Sequence, residues 1–209
     1  MSKLADLHIH TFLNKLASNA PTPGGGGVSA LVGALATGLG NMVASFTTGR
    51  TKYAEHQANT DQILAELAHL QGLLTDAIDA DAQVFTQVTD AYALPKVTDT
   101  EKATRSEAIQ AALKAATLVP YEVISHCRKG LSVCELAIGK CNTHVITDLG
   151  AAAILFEAAA KASLLNVLIN TNQMRDKCFA DEYADQARAM LTHCQNMSKT
   201  IQDYVLTQI

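Results

Sequence analysis

One acidic residue interrupts an otherwise apolar helical stripe. Plotted at about 100° per residue, Asp81 falls in the middle of the stripe, whereas Asp76 and Asp79 fall on the opposite face. An ionised carboxylate facing a core is costly unless it is paired or hydrogen-bonded, and burial raises its pKa towards the range useful for acid–base chemistry. Asp81 is therefore predicted either to do chemistry or to pair with Arg105, which intrudes on the next apolar stripe. The stripe around Asp81 consists of Leu67, Leu70, Leu74, Phe85, Val88 and Tyr92.

A run of four glycines lies immediately before a long uncharged segment. Four successive glycines cost backbone entropy, and they suit either positive φ angles or a ligand lying against the backbone. Free N–H groups at the following helix start could hold an anion or a carbonyl oxygen. A tight turn at a crowded interface explains the run equally well. No Gly-Lys-Ser/Thr follows it, which excludes a Walker A phosphate loop. The run and its preceding proline are Pro23, Gly24, Gly25, Gly26 and Gly27.

The cysteines and histidines predict no metal site. Cys127, Cys134 and Cys141 recur every seven residues, which places neighbours about 10 Å apart on one helix, too far to share one metal ion. They are interpreted as small core residues. The His8–His10 pair has no further Cys or His at a ligand spacing. The odd number of cysteines, five, and an N-terminus that does not read as a signal peptide favour the reducing cytoplasm.

The composition predicts one all-helical domain covering residues 1–209. The chain is 48% hydrophobic but only 5% aromatic, which is typical of closely packed helices, and no linker or charge block divides it. A net charge of −4 without Lys/Arg clusters argues against nucleic acid and anionic lipid as partners.

The apolar periodicity predicts an up-and-down bundle of long helices. One helix runs from Ile63 to the Leu94-Pro95 turn, and another opens at a Thr98/Glu101 capping box and runs to Pro120. A stripe from Ile124 to Cys141 follows, then an apolar helix capped by Thr147 or Asp148 and ending near Asn170. The last helix carries its apolar face from Phe179 to Val205.

The uncharged helix Val28–Phe46 is long enough for a membrane span, but its glycines and hydroxyl residues make it too polar for one. We expect a helix buried on all sides, in the bundle core or at a dimer interface, with small residues that let another backbone approach closely. The small residues form two rows at four-residue spacing, one of Gly26, Ala30, Ala34 and Gly38, the other of Ala36, Gly40 and Ala44.

Landmarks in order along nearly the whole chain resemble the formiminotetrahydrofolate cyclodeaminase / methenyltetrahydrofolate cyclohydrolase family. The most specific is the string from Leu16 through the glycine run to Leu35. The later landmarks are Met42-Val43-Ala44, Lys52-Tyr53, Asp79-Ala80-Asp81 with Phe85, Leu94-Pro95-Lys96, Thr98 to Arg105, Val119-Pro120, Asn142, Thr147-Asp148-Leu149-Gly150, and Asn166-Val167 with Asn170. Gly27, Thr147 and Ala151 depart from the family's usual Ser, Ser and Val.

The resemblance implies a homodimer with a folate pocket, a tetrahydrofolate derivative as substrate and no tightly bound cofactor. The carboxylates it favours for catalysis or pterin binding are Asp81 and Asp148, with their roles unassigned. The lysines and the arginine among the substrate-binding residues that it implies suit either the glutamate tail or the tuning of the carboxylates. These substrate-binding residues are Pro23, Gly24, Gly25, Gly26, Gly27, Lys52, Lys96, Arg105 and Asn142.

Two reactions fit this resemblance. A cyclohydrolase adds water to the methenyl carbon and opens the ring to 10-formyltetrahydrofolate, whereas a cyclodeaminase forms the same cation by releasing ammonia from the formimino group. Since 209 residues leave no room for a fused formiminotransferase, the chain is expected to work alone or with a separate one, and a cyclohydrolase is favoured. A non-catalytic folate-binding or scaffold protein is the remaining alternative.

Overall fold

The computed structural model describes residues 3–209, and all regular structure in that range is helical. The six α-helices are α1 (Ile9–Leu16), α2 (Gly25–Ser45), α3 (Gln57–Ala93), α4 (Asp99–Glu135), α5 (Ile146–Asn172) and α6 (Lys177–Leu206). Short 3₁₀ turns lie at Leu4–Asp6, Thr51–His56 and Thr143–Val145.

The five longer helices alternate in direction, which confirms the predicted up-and-down bundle. Helix α2 packs between α3 and α5, and α5 also packs against α4 and α6, so α2 and α5 form the centre of the bundle. The start of α2 lies beside the C-terminal half of α5, where Gly25 faces Asn166. Its end is tied to Asn142, just before α5 begins.

Helix α4 passes through Pro120 without ending, contrary to the predicted break at that proline. Proline has no N–H, so the carbonyl of Ala116, four residues earlier, loses its helical partner. Asn170 of α5 replaces it, because its Nδ2 donates to the Ala116 carbonyl oxygen at 2.8 Å. A side chain from the neighbouring helix thus satisfies the group that Pro120 orphans. The predicted start of α4 is confirmed, since Thr98 and Glu101 form a reciprocal capping box.

The cysteines pack as predicted, although not all on one helix. Helix α4 ends at Glu135, so Cys141 lies in the following turns instead of continuing the stripe. Cys127, Cys134 and Cys141 are buried, as is Cys194 on α6. Burial raises the pKa of Cys134 to about 12 and of Cys141 to about 11, so these thiols stay protonated.

The contact between α2 and α3 repeats every seven residues on both helices. On α2 the repeating residues are Gly26, Gly33 and Gly40, and the α3 side chains that fill the space beside them are Asp81, Leu74 and Leu67. We call these three pairs the glycine seam. A Cβ at Gly33 would lie 3.1 Å from a Leu74 methyl, and one at Gly40 would lie 2.5 Å from a Leu67 methyl. The α3 side chains occupy the volume that a Cβ would take, so a larger residue at these positions requires those side chains to shift.

The side of α2 away from α3 and α5 is exposed, so the prediction of a helix buried on all sides is wrong for the single chain. Leu35 is 55% exposed, and Gly38, which belongs to a predicted small-residue row, has no atom within 4 Å of its Cβ position. The segments Gly25–Ser45 and Thr143–Asn172 are long and apolar enough to cross a membrane, by length and composition only. Core helices of water-soluble bundles pass the same test, so this is weak evidence.

Candidate active site

Asp81 caps the start of α2 from the neighbouring helix. The N-cap residue of α2, Gly24, has no side chain to accept a hydrogen bond. Instead the backbone N–H of Gly27 donates to Asp81 Oδ2 at 2.9 Å. The first-turn N–H groups of a helix lack helical partners and carry its positive dipole end, so a carboxylate is well placed there. The N–H groups of Gly25 and Gly26 have no acceptor among the described residues.

The carboxyl group of Asp81 also fills the space beside Gly26. A Cβ at position 26 would overlap the carboxyl group of Asp81, so only glycine allows the two helices to meet here. Gly25 is exposed and Gly24 has open space at its Cβ position, whereas Pro23 is buried beneath them. The glycine run therefore brings backbone N–H groups next to Asp81, with Gly25 at the surface and Gly26 and Gly27 buried, and no residue of the run has a positive φ.

Burial raises the pKa of Asp81 above the ordinary aspartate value, and the hydrogen bond from Gly27 offsets only part of this shift. No cation contributes to the shift, and Arg105 is not its partner. Instead the Arg105 guanidinium donates from Nε and Nη2 to the carbonyl of Tyr92 at 3.2 and 3.1 Å, at the end of α3. The predicted ion pair between Asp81 and Arg105 is thus wrong. Asp81 is a half-buried carboxylate without a counter-charge among residues 3–209.

Asp79 lies on another side of α3 and has a structural role. Its Oδ1 accepts the N–H of Leu4 at 2.6 Å, which holds the N-terminal segment against the bundle. That segment encloses a cavity of about 180 Å³ lined by apolar side chains, including Leu31 and Ile78. Two aspartates two residues apart therefore do different work, because Asp79 binds the chain's N-terminal turn and Asp81 binds the start of α2.

The other predicted site residues lie at two further places in the single chain. Lys96 is exposed in the turn between α3 and α4, close in sequence to Arg105. Lys52, Asn142 and Asp148 lie at the opposite end of α2 from Asp81. Asn166 contacts Gly25, and about 27 Å of α5 separates it from Asp148 at 1.5 Å per residue.

At that far end, Asn142 joins elements together. Its N–H donates to Thr47 Oγ1 at 2.9 Å, its Nδ2 donates to the Phe46 carbonyl at 3.0 Å, and its Oδ1 accepts the N–H of His144 at 3.1 Å. Asn142, and neither Thr147 nor Asp148, therefore caps the turn that leads into α5. A folate contact by Asn142 stays a prediction, as do the roles of Lys52, Lys96 and Asp148.

Sequence reasoning gave two residues near Asp81 no role. The Asn166 side-chain amide lies 3.8 Å from the position that a Cβ of Gly25 would occupy, and Phe85 follows Asp81 by one helical turn with 42% of its surface exposed. The signal that could have identified this neighbourhood is the seven-residue spacing of Gly26, Gly33 and Gly40, matched by the same spacing of Leu67, Leu74 and Asp81. Matching periods of this kind predict that the two helices pack closely, but not which residues face each other.

A carboxylate of raised pKa beside free backbone N–H groups can stabilise a cationic carbon, take a proton from water and hold a developing carbonyl oxygen.

A family model described as formiminotransferase-cyclodeaminase matches residues 8–189. The methenyltetrahydrofolate cyclohydrolase of Methylorubrum extorquens is 39% identical over 201 residues, which cover 96% of this chain and 97% of that one. The formimidoyltransferase-cyclodeaminase of Rattus norvegicus is 30% identical over 202 residues, and there the match covers 95% of this chain but 37% of the relative.

The fold agrees with these sequence relationships. A crystal structure of formiminotetrahydrofolate cyclodeaminase from Thermotoga maritima superposes with a TM-score of 0.84 at 28% identity, covering 98% of this chain and all of that one. The matched region includes the glycine run, Asp81 and Asp148. Since the sequence relationships and the fold agree, the chain belongs to the formiminotransferase-cyclodeaminase family.

Proposed function

We propose that this protein is a methenyltetrahydrofolate cyclohydrolase, which converts 5,10-methenyltetrahydrofolate and water to 10-formyltetrahydrofolate. The observation that carries the proposal is the unpaired Asp81 carboxylate at the open start of α2. The relationship to the Methylorubrum cyclohydrolase over nearly the full length of both chains supports the choice of reaction.

The substrate's chemistry matches the charge of this site. The methenyl carbon shares a positive charge with N5 and N10, and Asp81 has no counter-charge of its own to compete with that cation. As water adds to the carbon, Asp81 accepts one of its two protons and passes it to N5 as the C–N5 bond breaks. The second proton leaves the hydroxyl for the solvent, so the oxygen becomes the formyl carbonyl and one proton is released overall. The N–H groups of Gly25 and Gly26 are placed to hold the oxygen that becomes the formyl carbonyl.

A formiminotetrahydrofolate cyclodeaminase is the second candidate, and the Thermotoga and rat relatives favour it. Both reactions pass through the same cation, so Asp81 would serve either one. The test is a pair of assays on the purified protein, one following the loss of methenyl absorbance and the other ammonia release from 5-formiminotetrahydrofolate. Methenyl hydrolysis faster than the spontaneous rate, without ammonia release, is expected. Ammonia release alone would assign the cyclodeaminase, and neither activity would favour a binding protein.

We also propose that two copies pair through the exposed side of α2. Leu35 and Gly38 give this side an apolar surface with a shallow point at which another helix can approach closely. On α5, Ile154 and Leu165 are also exposed, at 49% and 67%. A largely apolar surface of this kind is costly in water and typical of a subunit interface. Light scattering at micromolar concentration is expected to give the mass of a dimer, and a monomer would contradict the proposal.

Such pairing would bring the two predicted carboxylates together. A two-fold axis across the middle of α2 sets the partner's α2 antiparallel, so that the Asp148 end of one copy approaches the Asp81 end of the other. Asp148 and Asn166 are five turns apart and so lie on one face of α5, the face that meets Gly25. If each site needs both copies, mixing inactive Asp81→Asn and Asp148→Asn subunits should restore about a quarter of wild-type activity, since half the dimers carry one intact site. No restoration would place the two residues in independent roles.

The remaining sequence expectations are proposals as well. They are a cytoplasmic location, no metal or tightly bound cofactor, no membrane or nucleic-acid partner, and a separate formiminotransferase as a functional partner. The last is supported by the rat relative, whose name joins a formimidoyltransferase to a cyclodeaminase and whose length is matched here only in part.

A further inference from the structure

The apolar stripe of α3 changes character at Asp81. Below it, Leu67, Leu74 and Ile78 are buried, but beyond it Phe85 and Tyr92 are each 42% exposed although they continue the same face of the helix. The cause is the length of α2, which covers the stripe only as far as Gly25. Where α2 stops, two aromatic rings of α3 remain uncovered next to the candidate active site.

Tyr92 is held in place although it is exposed. Its hydroxyl donates to Gln173 Oε1 at 2.9 Å, which bridges from α3 to the end of α5. The Arg105 guanidinium lies 5.5 Å from the centre of its ring and also bonds its carbonyl. A ring fixed in this way is preorganised for contact, because little freedom remains to be lost on binding.

We propose that Phe85 binds the p-aminobenzoyl ring of the folate and that the glutamate tail then runs along α3 past Tyr92 to Arg105. This inference rests on the proposed folate activity. The benzoyl ring is bonded to N10, which is attached to the reacting carbon, so it must lie within one helical turn of Asp81. Phe85 is about 6 Å along α3 from Asp81, and Tyr92 is about 16 Å along it.

The end of this path suits a carboxylate. Arg105 uses Nε and Nη2 on the Tyr92 carbonyl, which leaves Nη1 to bind a substrate carboxylate. Lys96 is exposed in the adjacent turn and supplies a second positive charge. Along α3 this path offers an acidic group, then two aromatic rings, then two cations. The substrate carries its cationic carbon, its benzoyl ring and its glutamate in the same order.

The test measures binding of three stable probes by calorimetry: 5-formyltetrahydrofolate, the corresponding tetrahydropteroate without glutamate, and a tetrahydropterin without the benzoyl group. Phe85→Ala should weaken the first two about tenfold and leave the third unchanged, since only they carry the ring. Arg105→Gln should weaken only the first. Leu73→Ala is the control, because Leu73 is also an exposed apolar side chain of α3, at 36%, and lies two turns from Asp81, and it should weaken none.

Four outcomes would overturn the inference, the last of them together with the proposed function. Equal affinity of wild type and Phe85→Ala for 5-formyltetrahydrofolate would remove the ring contact and leave the proposed function intact. Equal weakening of all three probes would make Phe85 a structural support of the whole site. A change of oligomeric state in Phe85→Ala would show that a second copy covers this surface. Failure of the wild-type protein to bind any probe would instead reject the proposed function together with the inference.

Discussion

The glycine seam has one spacing but two kinds of contact. In its middle and at its far end, Leu74 and Leu67 pack on Gly33 and Gly40 and are completely buried. At the start of α2 the equivalent position against Gly26 holds the carboxyl group of Asp81, which is half-buried and accepts one backbone hydrogen bond. The same helix geometry therefore supports a core contact at two positions and a reactive group at the third.

The difference between these contacts distinguishes the residues that stabilise the fold from the residue that is proposed to react. A buried leucine contributes about 1.5–3 kcal/mol relative to an exposed one. An ionised aspartate at the matching position loses solvation, which the raised pKa of Asp81 reflects. Leu67 and Leu74 thus fix the register of α2 against α3, and that register places Asp81 at the first turn of α2. The two apolar contacts stabilise a polar one that would be unfavourable alone.

The largest effect is expected from Asp81→Asn. The substitution keeps the shape and an acceptor for the Gly27 N–H but removes the charge, so turnover should fall by about 10²–10⁴-fold. The melting temperature should stay the same or rise, because a poorly solvated charge is removed. Steady-state kinetics and circular-dichroism melting check this together. Full turnover with earlier unfolding would return Asp81 to a structural role.

Leu74→Ala, one seven-residue repeat from Asp81, should lower stability and leave turnover nearly unchanged. Leu74→Ala leaves a cavity in the core beside Gly33 and should cost about 2–5 kcal/mol of unfolding free energy. Turnover per folded molecule should remain near the wild-type value, because Leu74 is two turns below the site. Urea unfolding measures the unfolding free energy, and steady-state kinetics under conditions in which the variant is fully folded measure the turnover. A large loss of turnover in folded Leu74→Ala would mean that the seam does not separate the two roles.

Substituting alanine for the seam glycines should lower turnover at the Asp81 end and lower mainly stability at the leucine end. Gly26→Ala would place Cβ in the volume of the Asp81 carboxyl group, so the carboxylate must move and turnover should fall by at least about tenfold. Gly40→Ala meets the end of the Leu67 side chain, which can change rotamer, and should cost about 1–3 kcal/mol of stability with little loss of turnover. Equal turnover in the two variants would show that the position of Asp81 is not fixed by Gly26.

Local sequence signals predicted much of the fold because they depend on neighbours along the chain. The Thr98 capping box is one example, and the apolar stripe containing Asp81 is another. The break at Pro120 was wrong because the group that repairs the helix, Asn170, lies far away in sequence. The order of landmarks identified the family, whereas no spacing along the chain shows which side chains meet.

The sequence predicted the central residue of the candidate site and the glycine run beside it. Asp81 was found because a charge interrupts a hydrophobic pattern, but its partner was wrong, since Arg105 binds the end of α3 instead. The separation of Asp148, Lys52 and Asn142 from Asp81 follows from the antiparallel packing of α2 and α5, which periodicity does not specify. Asn166 and Phe85 emerge only when the register of the helices is known.

The pH dependence of stability and activity should run in opposite directions at Asp81. Its native pKa is raised above the ordinary value of 3.8, chiefly by burial, so the folded state holds this proton more tightly than the unfolded state. The stability that comes from protonation is present below the unfolded pKa and is lost as pH rises through the native pKa. Turnover should increase over the same range as the carboxylate forms. Paired melting curves and kcat/KM profiles of wild type and Asp81→Asn measure this, and an acid limb retained in the variant would assign it to another group.

The smallest effect is expected from Gly33→Ala, in the middle of the seam. Alanine favours a helix over glycine by about 0.5–1 kcal/mol, but the new Cβ would lie 3.1 and 3.3 Å from the two Leu74 methyls and 3.4 Å from Cys127 Sγ. These atoms must shift by a few tenths of an ångström, which offsets the gain in helix propensity. The net change in unfolding free energy should therefore stay within about 1 kcal/mol, with turnover unchanged. Urea unfolding beside Gly26→Ala gives the comparison. If Gly33→Ala also lowered turnover, the packing of Leu74 would be positioning Asp81 directly and the two halves of the seam would be coupled.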